Sequence, residues 1–226
     1  MVRRAVAELL GTAFLLAAIV GSGIMAERLA GGNVAVALLA NAIATGAALA
    51  TLILTFGPIS GAHLNPVVTL GQAAVRAFPW SNVPAYLIAQ IAGAFLGVAV
   101  ANSMFGYPMF FVSQHARSGY PQILGEFVAT FGLLVVIWSC GKFRESVAPF
   151  AIAAYITAAY WFTSSTSFAN PAVTLAREAS NTFAGIRPID VPGFIAAQLA
   201  GSLAAAALCQ WLLQSRRADR ITETES

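Results

Sequence analysis

Charged residues are scarce in this sequence. Lys, Arg, Asp and Glu make up 9% of the 226 residues, whereas a soluble domain carries about 25%. A chain so poor in charge cannot cover itself with a hydrated surface, which excludes an ordinary soluble enzyme and a disordered protein. The net charge of +3 comes from residues scattered between apolar runs. Because no basic patch forms, we predict no nucleic-acid partner.

Cysteine is almost absent as well. Cys140 and Cys209 lie inside apolar runs, without the spacing of a zinc site or a disulfide framework. The sequence also lacks the Gly-x-Ser-x-Gly, P-loop and His-Glu-x-x-His motifs of common enzyme classes. We therefore predict that the protein is not an enzyme, with no catalytic residues, no metal and no cofactor.

Long hydrophobic runs dominate what remains. Apolar residues make up 58% of the chain, and its mean hydropathy is +0.76. A hydrocarbon core about 30 Å thick requires roughly 20 apolar residues in a helix. Six stretches meet or nearly meet this length: Ala5–Ala26, Val34–Phe56, Val83–Phe105, Ile123–Cys140, Val147–Thr166 and Val191–Leu213. The sequence thus predicts an all-α protein with six transmembrane helices in a lipid bilayer.

Two further apolar segments are too short to cross a membrane. They are Gly61–Arg76 and Phe168–Glu178, and each contains an Asn-Pro pair, at Asn65 in the first and at Asn170 in the second. Asn is a good helix N-cap and Pro favours the first helical turn. About ten helical residues reach only half the hydrocarbon core. Because half-helices at this depth occur only where they are buried in protein or line a watery cavity, the segments predict a polar pathway.

The two halves of the chain resemble each other. Three segments match in the same order: Ala7–Phe14 with Gly125–Gly132, Asn65–Leu70 with Asn170–Leu175, and Ala89–Gly93 with Ala197–Gly201. Each half holds three spans and one half-helix, so the second half enters the membrane from the opposite side. We predict one transmembrane channel domain over residues 1–226, built from inverted repeats at about 5–105 and 123–213, with its site where the halves meet.

These features resemble the aquaporins, the major intrinsic protein family. Ser60–Thr69 is similar to the family's first signature almost residue for residue, and Ala7–Thr12 is similar to its first-span motif. The resemblance implies a homotetramer with one pore per subunit. It assigns the pore motif to Asn65, Pro66, Val67, Asn170, Pro171 and Ala172, and the pore lining to Gly61, Ala62, His63, Leu64, Phe168 and Ala169.

Two positions depart from the family pattern. Val67 replaces Ala in the first motif, and Val173 stands where members usually carry Arg. Counting without gaps from the two Asn residues gives the selectivity filter as Thr45, Ala158, Ser167 and Val173. If the count is off, nearby aromatic residues would intrude: Tyr160, Trp161 and Phe168. A filter without Arg resembles the bacterial branch associated with arsenic-resistance operons, which is linked to neutral trivalent and methylated arsenicals.

The predicted function is a passive channel for small neutral solutes such as water, glycerol, urea and neutral arsenicals. The N-termini of two half-helices are electropositive, and Asn65 and Asn170 add amide donors. A permeating oxygen must turn toward both, which opposes proton and cation passage. A small, uncharged filter would admit solutes larger than water. Two alternatives stay open: a strict water channel, and an inverted-repeat secondary transporter.

Three charged residues have competing interpretations, two within spans and one at the predicted outer end of the second half-helix. Glu8 and Glu126 would suit a proton relay, but their matching positions in the repeat favour support of the re-entrant loops through hydrogen bonds. Arg177 follows Val173 by one helical turn. It could act as a substitute cation at the outer mouth, whereas base rates for surface ion pairs favour an arginine paired with Glu178 or solvent.

The distribution of basic residues predicts the orientation. With the N-terminus in the cytoplasm, eight basic residues lie inside: Arg3, Arg4, Arg76, Lys142, Arg144, Arg216, Arg217 and Arg220. Four lie outside: Arg28, Arg117, Arg177 and Arg187. The excess of positive charge predicts a multi-pass protein of the cell (plasma or inner) membrane with both termini cytoplasmic.

Overall fold

The structure is a computed structural model that describes residues 1–213. Within this range the chain forms eight α-helices: α1 (Val2–Leu29), α2 (Val34–Ser60), α3 (Pro66–Ala74), α4 (Val83–Met104), α5 (Tyr120–Phe143), α6 (Ala148–Phe162), α7 (Pro171–Arg177) and α8 (Val191–Leu212). The three arginines counted at the C-terminus, Arg216, Arg217 and Arg220, lie outside the described residues.

Six helices correspond to the predicted spans, which confirms the all-α architecture. Five of them are long and apolar enough to cross a membrane. The sixth, α6, has only 15 residues and reaches about 22 Å. The prediction that this helix continues to Thr166 is wrong, because the backbone becomes extended at Thr163 (φ −107°, ψ 141°) and enters the loop that leads to Asn170.

The two short helices α3 and α7 begin as the sequence predicts. Asn65 precedes α3 with an extended backbone, and its side chain accepts a hydrogen bond from the Val67 N–H at 3.1 Å. Asn170 precedes α7 in the same conformation and accepts from the N–H groups of Ala172 and Val173. Each side chain thus satisfies backbone donors that have no partner in the first helical turn.

Helix packing repeats between the halves. Helix α1 packs on α2 and α4, α5 packs on α6 and α8, and α2 contacts α6 across the halves. Gly93 and Gly201 occupy equivalent crossings in the two halves. A Cβ atom on Gly93 would clash with the Leu9 carbonyl oxygen, and one on Gly201 would clash with that of Phe127. These glycines let the helix backbones approach closely.

The distribution of polar groups is that of a membrane protein. Large apolar side chains such as Phe14 and Leu203 face outward, with 61% and 67% of their surface exposed. Carboxylates and amides such as Glu8, Glu126 and Gln90 are completely buried. An apolar exterior around a polar interior suits a lipid environment and places hydrogen-bonding groups along the axis between the two halves.

Candidate pore

Two re-entrant loops connect the long helices to α3 and α7. In both loops non-glycine residues adopt left-handed backbone angles, with φ of 45° at Ala62, 50° at Leu64, 51° at Ser167 and 47° at Ala169. Such conformations cost about 1–3 kcal/mol each and persist only where surrounding contacts enforce them. The loops must therefore be held by strong interactions from the neighbouring helices.

Glu8 of α1 holds the first loop. One carboxylate oxygen accepts hydrogen bonds from the Ser60 hydroxyl at 2.7 Å and the His63 N–H at 3.0 Å. The other oxygen accepts from the Leu64 N–H at 2.7 Å and the Gln90 amide at 2.8 Å. Because all four donors converge on one buried carboxylate, the geometry favours the supporting interpretation of Glu8 over a proton relay.

Glu126 of α5 makes the equivalent contacts with the second loop. Its oxygens accept from the N–H groups of Phe168 at 2.8 Å and Ala169 at 2.9 Å. The Gln198 side chain donates to the same carboxylate at 2.6 Å. The two loops are thus fixed by the same chemistry, applied once in each half of the chain.

Two glutamines complete this network, and the sequence analysis missed their role. Gln90 also donates to the Thr69 hydroxyl at 2.9 Å, and Gln198 to the Thr174 hydroxyl at 2.8 Å. Each glutamine therefore links a supporting carboxylate to a half-helix. The signal was present in the sequence, since the repeat aligns Gln90 with Gln198 and Thr69 with Thr174.

The N-termini of α3 and α7 meet at the junction of the two halves. The Asn65 amide donates to the Ala169 carbonyl oxygen at 2.7 Å, and the Asn170 amide donates to the Leu64 carbonyl oxygen at 2.8 Å. Each half-helix is thereby tied to the opposite loop. The positive ends of two helix dipoles and two amide groups converge in one place.

A cavity of about 280 Å³ passes this junction. Both asparagines line it, together with all the predicted lining residues: Gly61, Ala62, His63, Leu64, Phe168 and Ala169. The other motif residues, Pro66, Val67, Pro171 and Ala172, do not line it. Val67 and Ala172 are buried in packing instead. On one side of the junction the cavity extends along α3 to Gln72. Toward the C-terminus of α7 lies a region that we call the Arg177 end, lined by Thr45, Tyr160, Ser167, Phe168, Val173 and Arg177.

The placement of Ala158 in the selectivity filter is wrong. Thr45, Ser167 and Val173 line the Arg177 end, but Ala158 is exposed on the other side of α6. Ile156 and Tyr160 line the cavity instead. Ile156 and Tyr160 are four positions apart and therefore share one helix face. Ala158 is two positions from each of them, so its side chain points in nearly the opposite direction.

Tyr160 is therefore the residue that α6 contributes beside Thr45. Its hydroxyl donates to the Thr45 hydroxyl oxygen at 3.3 Å. Of the three aromatic residues considered as intruders, Tyr160 and Phe168 line the cavity, whereas Trp161 is 48% exposed. The filter region is consequently more aromatic than the gapless count predicts.

The predicted pairing of Arg177 with Glu178 or solvent is also wrong. Arg177 is only 2% exposed and lines the cavity. Its Cζ atom lies 3.5 Å from the centroid of the Phe168 ring, and its Nε–H donates to the Ala184 carbonyl oxygen. The side chain is thus held by a cation–π contact and a backbone acceptor.

Arg117, in the segment between α4 and α5, is a second buried guanidinium near Phe168. Its Cζ atom is 4.9 Å from the ring centroid, and it donates to the carbonyl oxygens of Gly185 at 2.8 Å and Ser165 at 3.3 Å. Burial lowers the pKa of Arg117 to about 10, so the group remains protonated at neutral pH. The sequence gives no signal for these contacts, because they join distant segments.

Comparison with known proteins agrees with the geometry. The model of the MIP family, major intrinsic protein, matches residues 1–162. Aquaglyceroporin AqpS of Rhizobium meliloti is 52% identical over 217 residues, which cover 96% of this chain and 93% of that protein. Aquaporin NIP1-3 of Oryza sativa subsp. japonica is 36% identical over 137 residues, 60% of this chain and 47% of the relative.

A solved structure supports the same fold. The X-ray structure of the aquaglyceroporin from Plasmodium falciparum superposes with a TM-score of 0.68 and 24% sequence identity, covering 93% of this chain and 94% of that one. At this identity the likeness concerns the fold alone. The family match and the relative at 52% identity establish that this chain belongs to the major intrinsic protein family.

Proposed function

We propose that the protein is a passive transmembrane channel for water and small neutral solutes such as glycerol and urea. The observation that carries the proposal is the cavity that passes between Asn65 and Asn170, where the two half-helices meet. The 52% identical relative is named an aquaglyceroporin, which supports a solute channel over a strict water channel.

The mechanism rests on fixed donors and acceptors along the cavity. The electropositive helix ends and asparagine amides orient a permeating oxygen and oppose cations. Gly61, Ala62 and His63 line the cavity, and no described residue donates a hydrogen bond to their carbonyl oxygens. These carbonyls can accept hydrogen bonds from a solute that has lost its hydration, while apolar side chains on other walls keep binding weak.

The finer part of the proposal concerns the solute. A filter formed by Thr45, Tyr160, Ser167 and Val173 contains small and medium uncharged groups beside one aromatic ring. Val173 leaves space that a longer side chain would fill. We therefore include neutral trivalent and methylated arsenicals among the solutes, since they are small, uncharged and carry hydroxyl groups.

A flux panel tests this function. The protein is reconstituted into proteoliposomes, and the permeabilities to water, glycerol, urea and neutral arsenite are measured side by side with Val173→Arg. We expect all four solutes to pass, and we expect Val173→Arg to reduce glycerol and urea flux more than water flux. Equal glycerol and urea fluxes in the native protein and Val173→Arg would show that Val173 does not limit passage. Exclusion of glycerol by the native protein would favour a strict water channel.

Flux measurements in the same vesicles distinguish a channel from a carrier. A channel gives flux that rises linearly with the solute gradient and is independent of ion gradients. Uptake that saturates and follows an imposed proton or sodium gradient would favour a secondary transporter.

Membrane topology and assembly complete the proposal. We propose one channel domain of two inverted repeats in the plasma or inner membrane, with both termini cytoplasmic, assembled as a homotetramer with one pore per subunit. The excess of basic residues on the predicted inner side supports this orientation. Protease protection of terminal tags in right-side-out vesicles tests the topology, and light scattering of the detergent-solubilised protein tests the tetramer.

A further inference from the structure

Arg177 is a buried charge without an acidic partner. Within residues 1–213 the single ion pair joins Arg187 to Asp190, and Arg177 is 2% exposed. Burying an unpaired charge in a protein is costly. Because Arg177 also lines the cavity, its charge lies where it can act on what enters.

The hydrogen bonds of Arg177 point to the same conclusion. Its Nε–H donates to Ala184 and its guanidinium stacks on Phe168, but Nη1 is buried and has no partner among the described residues. Guanidinium N–H groups are obligatory donors. Because the side chain lines the cavity, a small movement of the guanidinium would bring Nη1 to an oxygen atom of a water or solute molecule inside it.

Arg117 has no guanidinium nitrogen that lacks an acceptor. Each of its guanidinium nitrogens already donates to a protein oxygen: Nε to Gly185, Nη1 to Ser165 and Thr166, and Nη2 to Phe183. Arg117 is also absent from the cavity lining. It therefore acts as a positioning residue that fixes the second re-entrant segment, and Arg177 is the guanidinium with a donor left for a permeating molecule.

We propose, building on the channel function above, that Arg177 is a specificity-determining residue of the pore. Its fixed positive charge excludes protons and metal cations from the Arg177 end, and its Nη1–H donates to the oxygen of a neutral hydroxylated solute. Charge discrimination in this channel thus resides one helical turn beyond Val173, on the side chain that stacks on Phe168.

The test compares Arg177→Gln with Arg177→Lys in proteoliposomes. The glutamine removes the charge but keeps an amide able to donate to Ala184, and the lysine keeps the charge. Arg28→Gln is the matched control. Arg28 also stacks on an aromatic ring, with Cζ 5.1 Å from the Phe105 centroid, and donates to a backbone carbonyl, but it is exposed and does not line the cavity.

Proton flux is measured with a trapped pH-sensitive dye, and glycerol flux by light scattering. We expect Arg177→Gln to raise proton flux at least about tenfold, because a unit charge at contact distance strongly disfavours a cation. Arg177→Lys and Arg28→Gln should retain the exclusion of the native protein. All three variants should still conduct glycerol.

Three outcomes would overturn the inference. If native protein and Arg177→Gln exclude protons equally while glycerol still passes, the inference fails and the channel function stands. If native protein does not conduct glycerol, both fail. If Arg177→Gln does not fold, Arg177→Met replaces it. If both neutral variants misfold while Arg177→Lys folds, the charge of Arg177 is required for folding rather than for selectivity.

Discussion

Asn65 and Asn170 each cap one half-helix and donate to the loop that precedes the other. The Asn65 amide reaches the Ala169 carbonyl at 2.7 Å, and the Asn170 amide reaches the Leu64 carbonyl at 2.8 Å. The same two side chains therefore start the half-helices, join the two halves and present polar groups to the cavity. A single substitution at either position affects stability and permeation together.

Replacing Asn170 with Ala removes the cap of α7 and the contact with Leu64. Losing a cap costs about 1 kcal/mol, and losing a buried hydrogen bond costs about 1 kcal/mol more. We expect the free energy of unfolding in detergent to fall by about 2 kcal/mol and proton exclusion to weaken. Asn33→Ala is the control, because Asn33 caps α2 at an exposed site. An equal loss of proton exclusion in the control would contradict this expectation.

Glu126→Gln tests the support of the second loop. Glu126 accepts hydrogen bonds from Phe168, Ala169 and Gln198, and a glutamine places an NH₂ group against at least one of these donors. We expect a loss of about 3 kcal/mol or more from unsatisfied buried groups, seen as a lower thermal midpoint and poor recovery of folded protein. The exposed Glu27→Gln should lie within about 0.5 kcal/mol of the native protein. A folded Glu126→Gln with only proton-coupled transport lost would favour the relay.

Tyr160→Leu tests which residue of α6 lines the filter. Removing the aromatic ring and its hydrogen bond to Thr45 widens the Arg177 end, so we expect glycerol and urea permeability to rise severalfold in reconstituted vesicles. Ala158→Val is the control and should leave both rates unchanged, because Ala158 faces away from the cavity. If Ala158→Val slows glycerol flux and Tyr160→Leu leaves it unchanged, Ala158 lines the filter as the count without gaps predicts.

Gly93→Ala tests the close crossing of α1 and α4. The added methyl group would clash with the Leu9 carbonyl oxygen, and relieving this contact forces the helices apart. Overpacking of this kind costs about 1–3 kcal/mol. Gly57→Ala is the control, since no atom lies within 4 Å of its added Cβ, and it should be neutral or gain about 0.5–1 kcal/mol from the better helix former. Equal stability of the two variants would contradict the close packing.

The sequence was most informative where the repeat and local backbone chemistry agree. Asn-Pro pairs in matching positions predict two capped half-helices, and α3 and α7 begin at these pairs. Hydrophobic length predicts the spans, because the bilayer sets a minimum that an apolar helix must meet. The end of α6 was missed because the hydroxyl residues of 163–167 are also tolerated inside membrane helices, and no Gly or Pro marks a break before Pro171.

The amino-acid order by itself thus determined the membrane class, the approximate spans, the repeat and the two Asn-capped half-helices, since these depend on hydrophobicity and on contacts between near neighbours. The meeting of Asn65 and Asn170 was expected from the repeat and the family resemblance, because their amides contact residues 104 and 106 positions away. Only the tertiary structure decided that Tyr160 rather than Ala158 lines the cavity and that Arg177 is buried against Phe168. The facing side of a helix depends on its rotation against its neighbours. The partner of a long side chain depends on which distant segments the fold brings within a few ångströms.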